Sequence, residues 1–163
     1  MATRTTGKAG QELSGPGHVE QRNLRTLSAP ECFGLLELGD VGRVGLPSPE
    51  GIVIMPVNFA VAGMTIVFRT APDTLLAAHA DGPVSFEADF LDKARHEGWS
   101  VLVQGHAHEV TSEREVRSLE RETRLEPWAD GARDVWVRIS PARISGRVIE
   151  RATRSRPAPT PGR

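Results

Sequence analysis

Tyrosine is absent from this sequence, cysteine occurs once and tryptophan three times. The first absence removes a phenol as general acid anywhere in the chain, and the second removes any internal disulfide. No apolar run approaches the ~20 residues that cross a bilayer. Neither sign of charge dominates: 20 Lys and Arg stand against 21 Asp and Glu, a net charge of -1. That balance argues against a general nucleic-acid binder, which displays a basic surplus. The opening residues Met1 to Lys8 carry no apolar stretch behind their charges, unlike a secretory signal. With the lone Cys32, these features point to a cytoplasmic protein with neither membrane nor nucleic acid as partner. At 163 residues the chain is expected to hold one domain with a real core.

The motifs of several chemistries are missing as well. There is no Gly-x-Ser-x-Gly elbow, no Walker pattern and no Gly-x-Gly-x-x-Gly. Cys32 follows a helix start that lowers a thiol pKa, but a small buried core thiol is the commoner fate of such a residue. His106 and His108 share a strand face, as do Glu87 and Asp89; a zinc site needs further ligands, so no metal site is expected. No catalytic residue emerges, and His106 is the single candidate proton donor.

What is present reads as many short strands with turn signals between them. Residues 1–24 are Gly-, Thr-, Ser- and Arg-rich and are expected to form a mobile arm; residues 151–163 form a Pro-rich, disordered tail. The body, residues 25–150, opens with a helix marked by Ser28, Pro30 and Glu31, a capping-box pattern. Strands are expected at 43–46, 52–61, 64–70, 84–88, 100–110, 136–140 and 143–149. Asp73 is expected to cap a short helix over 74–80, and Ser112 with Glu115 a second one reaching Arg124 before Pro127. Such a pattern suggests a closed or nearly closed barrel. Arg69 and Thr70, at a strand end beside a helix start, gather a guanidinium, a hydroxyl and free backbone N–H groups, which suits a phosphate; an ordinary surface turn is an equal reading of these residues.

The order of pieces resembles the FMN-binding split-barrel family related to pyridoxamine 5'-phosphate oxidase, in particular its small actinobacterial-type members. The matching stretches are Gly42-Arg43-Val44, Met55 to Ala60, Ile66 to Pro72, Val84 to Asp89, Gly98 to Ala107 and Val137 to Arg147. The resemblance implies a mainly β fold with peripheral α-helices, a Greek-key-like split β-barrel, and a homodimer with FMN in a groove between chains. It implies a cofactor site of Met55, Pro56, Val57, Asn58 and Phe59 along the flavin ring. Arg69, Thr70 and Thr74 would hold its phosphate, and Trp99 and Ser100 would approach the flavin, often from the partner. Ile144 to Arg147 resembles the place of substrate-side residues.

Two departures from the family pattern stand out. Asp73-Thr74-Leu75 replaces the usual Gly, Ser or Thr, Lys, removing a cation and adding a carboxylate near the phosphate; Arg43 or an arginine of the second chain is a candidate replacement. The oxidase's arginine- and histidine-bearing substrate motif is missing, so vitamin B6 oxidation is not expected. The implied activity is hydride transfer through FMN to an unknown small-molecule substrate. The alternatives are a reductase using a deazaflavin coenzyme, and a non-catalytic flavin- or haem-binding protein.

Overall fold

The structure is a computed structural model that describes residues 22–126, 128 and 131–151. Residues 1–21 and 152–163, where most of the expected arm and tail fall, lie outside the described residues, as does Pro127. Residues 22–24, expected to belong to the arm, are instead part of the first strand, because Leu24 and its neighbours pair with the last one.

Ten elements follow in order: β1 (Arg22–Leu27), α1 (Ala29–Leu36), β2 (Val41–Ser48), β3 (Gly51–Ala62), β4 (Thr65–Thr70), α2 (Leu75–Ala78), β5 (Asp81–Asp92), β6 (Glu97–Glu109), α3 (Glu113–Thr123) and β7 (Val135–Arg151). All strand pairs are antiparallel, in the order β1-β7-β4-β3-β2-β5-β6, and β6 pairs back to β7. Six strands therefore close a ring, with β1 added along the free edge of β7. Strands β2, β3 and β4 form a meander, and β5 returns beside β2, giving the spatial order 5-2-3-4 of a Greek key. The fold is thus the expected barrel.

Local chemistry explains the corners. Gly63, at φ +61°, turns β3 into β4. At α1, the Glu31 carboxylate accepts from Ser28 N–H at 2.8 Å and Ser28 Oγ at 2.7 Å, and those bonds, with Arg25 nearby, hold its pKa down to about 2. Asp73 does not cap α2; it lies in the preceding turn, and Thr74 caps the helix through Ala77 N–H. Ser112 precedes α3 without a side-chain cap bond, because Glu115 turns instead to Arg138, at 2.9 Å.

The two expected final strands are one. β7 runs through Pro141, whose missing N–H falls where the β6 ladder slips register between Gln104 and Gly105. There is no room for a side chain at Gly105: a Cβ would run into the Ser140 carbonyl.

Alternation sends one set of residues inward and the other outward. The inward set builds the main core, centred on Phe68, Phe86, Val101, Val103 and Ile139, with Cys32, Phe33 and Leu36 of α1 packed against it. Outward, α3 covers β3, β4 and β7 with a second cluster of Val67, Val110, Leu119 and Trp136. Among the described residues, the outer face of β2, β5, β6 and the far half of β7 has no such cover. Cross-strand registers place Arg43 beside Glu87 there, Glu87 beside Leu102 and Leu102 beside Ser145. Arg43 reaches two carboxylates of β5, Glu87 at 3.1 Å and Asp89 at 2.8 Å.

Two measurements check this packing. Gly105→Ala should cost about 2 kcal/mol or more in chemical denaturation, since the added methyl meets backbone; a neutral effect would contradict the close β6–β7 approach. Burial, and then the Asp89 charge, push the Glu87 carboxyl above its ordinary pKa, against the pull of Arg43. A raised carboxyl pKa means the fold favours the protonated form, so stability is lost as pH rises through the folded pKa. Glu87→Gln should therefore raise Tm at pH 7 by roughly a few degrees, with the gain vanishing near pH 4; an equal shift at both pH values would contradict it.

Candidate functional site

The end of β4 is where the sequence places a phosphate. Because side chains alternate, Arg69 and Thr70 point to opposite faces. Thr70 points inward and is 1% exposed. Its Oγ1 lies 2.8 Å from Thr74 Oγ1, which donates to Ala71 O at 2.9 Å and accepts from Ala77 N–H at 3.2 Å. Since Thr74's proton goes to Ala71, Thr70 is the donor between the two hydroxyls. Both hydroxyls are engaged within the strand-to-helix turn, where Thr70 and Thr74 build the start of α2, and Thr70 faces the opposite side of β4 from Arg69.

Arg69 points outward. Its guanidinium sits 5.4 Å from the centre of the Trp136 ring, and Nε donates to Arg133 O at 2.8 Å. Asp134 Oδ1 is 3.8 Å from Nη2. The guanidinium's outer Nη edge is the part of this trio that still faces an anion.

Strand β3 also divides by face. Val57 and Phe59 are core residues, and Phe59 meets Phe86 edge-on at 4.8 Å. Met55 is half-buried against the same core, while Pro56 is exposed. The side chains of Val57 and Phe59 are thus not available to a flavin ring; only their backbone remains. Along the β4 side, the β3 ladder ends at Phe59–Phe68, and residues 51–58 pair only with β2 among the described residues. This gap between β3 and β4 is the split of the barrel. At its mouth, Asn58 Oδ1 accepts from Trp128 N–H at 2.9 Å, and Nδ2 approaches Asp40 O at 3.4 Å.

The other predicted residues lie far off. Trp99 is half-buried at the margin of the main core, opposite Phe90 and Val148. Ser100 is exposed, opposite Asp89 and Arg147. Arg69 pairs with Trp136, and Ser100 with Arg147, eleven residues further along β7 (136 to 147). At ~3.3 Å per residue that is about 36 Å of strand.

Ser100 opens onto a groove of about 450 Å³ with Thr26, Glu87, Arg143, Ser145 and Arg147 on its walls. Both arginines are exposed on this outer face. Beside it, a groove of about 750 Å³ is walled by Pro47, Ile52, Pro83, His106, Pro141 and Ala142. Sequence reasoning missed Arg143 as part of a cationic groove; the alternation of β7 was the available signal, obscured by breaking the strand at Pro141. It also offered Arg43 as a spare cation, but Glu87 and Asp89 already hold that guanidinium. Among the described residues no cluster of three metal-ligating side chains occurs. Burial pushes the Cys32 thiol pKa up, and the sulfur packs against Gly146, where a Cβ would be 2.8 Å away. This is a core thiol.

Known proteins share this arrangement. The sequence profile of the pyridoxamine 5'-phosphate oxidase family matches residues 28–148. An uncharacterized protein of Mycobacterium tuberculosis is 34% identical over 131 residues, covering 77% of this chain and 85% of the relative. The structure of an FAD-binding protein from Mycobacterium smegmatis is 37% identical, with a TM-score of 0.65, covering 76% of this chain and 96% of that one. A Corynebacterium glutamicum protein, named as a proposed pyridoxamine 5'-phosphate oxidase, is 31% identical with a TM-score of 0.67, covering 77% of this chain and 92% of that one. A barrel closed through β7, a split beside β3 and a profile matched from α1 to β7 together make this chain a member of the pyridoxamine 5'-phosphate oxidase family.

Proposed function

We propose that this protein is a flavin-binding oxidoreductase whose FMN sits between two copies of the chain. The separation of the candidate residues carries the reading. Arg69 and the β3 edge lie at one end of β7, while Ser100, Arg143 and Arg147 lie about 36 Å of strand away. A single flavin does not span that length within one chain, but a second copy related by a twofold axis brings the far end of its β7 to the first copy's split. The bare outer face favours such a partner. It continues onto β3, where Ile52 is exposed at 72% and Ile54 at 66%, and it carries Arg147 of β7 and Asp89 of β5 on either side of Ser100.

The residues fit a flavin in part. The free backbone edge of Met55 to Asn58 offers donors and acceptors to the ring's polar rim, with Pro56 as an apolar wall. The Nη edge of Arg69 meets the phosphate. Ser100 and Arg147 of the second copy close the opposite side. Thr70 and Thr74 contribute by fixing α2, not by contact. Such a bound flavin accepts and delivers hydride, while the chain binds, orients and shields it. Apolar residues of the paired outer faces exclude water from the ring.

FAD is the second reading, favoured by the FAD-binding relative and by the roughly 450 Å³ cationic groove, which has space and charge for a further phosphate.

Fluorescence titration with FMN, FAD and riboflavin tests the proposal. FMN should bind more tightly than riboflavin, and Arg69→Ala should weaken FMN by about tenfold or more while leaving riboflavin nearly unchanged. Equal loss for both flavins would take the phosphate away from Arg69, and no binding of any flavin would end the reading.

A further inference from the structure

The two grooves of the outer face meet end to end. The groove of about 750 Å³ reaches Gln104 and His106 on β6 and Pro141 and Ala142 on β7. The groove of about 450 Å³ takes over at Leu102 and Arg143. Gln104 and Arg143 are cross-strand partners, so the two share a border. From His106 to Ser100 they follow β6 for six residues, about 20 Å of strand.

Polarity changes along that line. One end is walled by Pro47, Ile52, Pro83, Val84, Pro141 and Ala142, and no carboxylate lines it. Three of these are prolines, which bring apolar rings and no N–H. Ile52, 72% exposed, leaves a large apolar side chain open to a ligand. The other end holds Arg143 and Arg147, both exposed, and neither forms an ion pair with a described residue. Thr26, Ser100 and Ser145 add hydroxyls beside them. The carboxylate at this end, Glu87, accepts from Arg43 at 3.1 Å, and burial pushes its pKa up, toward the uncharged form that least opposes an anion.

A compact anion would use the arginines alone, and an apolar surface would use the basin alone. A narrow channel that is apolar at one end and cationic at the other fits a long, thin ligand with an anionic head. We infer that the two grooves form one channel that binds a long-chain alkyl carboxylate, its chain along the Pro47 to Pro141 basin and its head between Arg143 and Arg147. The inference goes beyond the flavin reading. It shares Ser100 and Arg147 with that site, while Arg69 and the split take no part in it.

Titration calorimetry on the full chain with octanoate, decanoate and dodecanoate below their micelle concentrations, and with decanol, tests this. Affinity should rise about tenfold for each added pair of methylenes, and decanoate should bind about fivefold tighter than decanol. Arg143→Gln should weaken decanoate by about fivefold and leave decanol unchanged. Ile52→Ser should weaken both by about threefold or more. Both positions are exposed, so the core is untouched, and native near-ultraviolet dichroism checks this. Affinity independent of chain length would leave an ordinary anion site and overturn the channel. Equal binding of decanoate and decanol would overturn it too, by removing the arginines from the head group. A dimer that takes FMN but no alkyl ligand would show the second copy filling the channel, ending this inference and leaving the flavin site standing. Arg69→Ala should keep parental affinity for decanoate, and a chain that binds decanoate but no flavin would uphold the channel while the flavin reading falls.

Discussion

One strand governs this molecule. β7 spans seventeen residues, Val135–Arg151, and every closure of the barrel passes through it. One of its edges is hydrogen-bonded to β6 almost throughout; the other serves β4 near Val135 and β1 near Arg151. A flat strand does not reach all three neighbours. The bend is supplied by Pro141, which has no N–H to leave unpaired, and by the register slip at Gln104/Gly105, where glycine lets the Ser140 carbonyl come close. Removing either feature would oppose the ring, since an unslipped ladder keeps both strands straight.

The same strand decides what the surface can do. Its inward residues Val137 and Ile139 are fully buried, so the outward positions are free to carry chemistry. Near β4 those positions are covered: Trp136 lies under α3 and supports the Arg69 guanidinium. Past Pro141 no described element covers them, and Arg143, Ser145 and Arg147 look outward with Ser100 and Glu87. One end of the strand thus offers a shielded cation beside the split, and the other offers exposed cations on a wall that no described element covers. The proposed function joins these two ends through a second copy of the chain, since both are fixed on one strand that stays paired along its length.

Much of this was legible in the sequence, and the misses share a cause. Turn residues such as Ala62-Gly63 and the Pro47 to Gly51 cluster mark real corners, and alternation in Val101 to His106 assigns the faces of β6 correctly. The family resemblance rested on the same stretches. What escaped depends on which partner a residue meets in the folded chain. Pro141 reads locally as a strand break, yet the slipped ladder accommodates it. Glu115 reads as half of a capping box, yet Arg138, twenty-three residues on (115 to 138), draws it away. Thr70 and Thr74 read as phosphate ligands, yet their spacing lets the hydroxyls satisfy each other. Asn58 reads as a ring contact, yet its amide holds Trp128. For Glu115, Thr70, Thr74 and Asn58 the residue type was suited to the expected role, and another polar partner took it.

The central claim is that one cofactor site draws on two copies of the chain. Subunit mixing tests it most directly. One chain carries Arg69→Ala, the other Ser100→Asp, and each alone should bind FMN poorly. A mixed dimer then contains one site with both substitutions and one with neither. The account predicts that mixing restores one site of parental affinity per mixed dimer, seen as recovered flavin fluorescence quenching. Mixed samples that bind no better than the average of the two separate variants would contradict it.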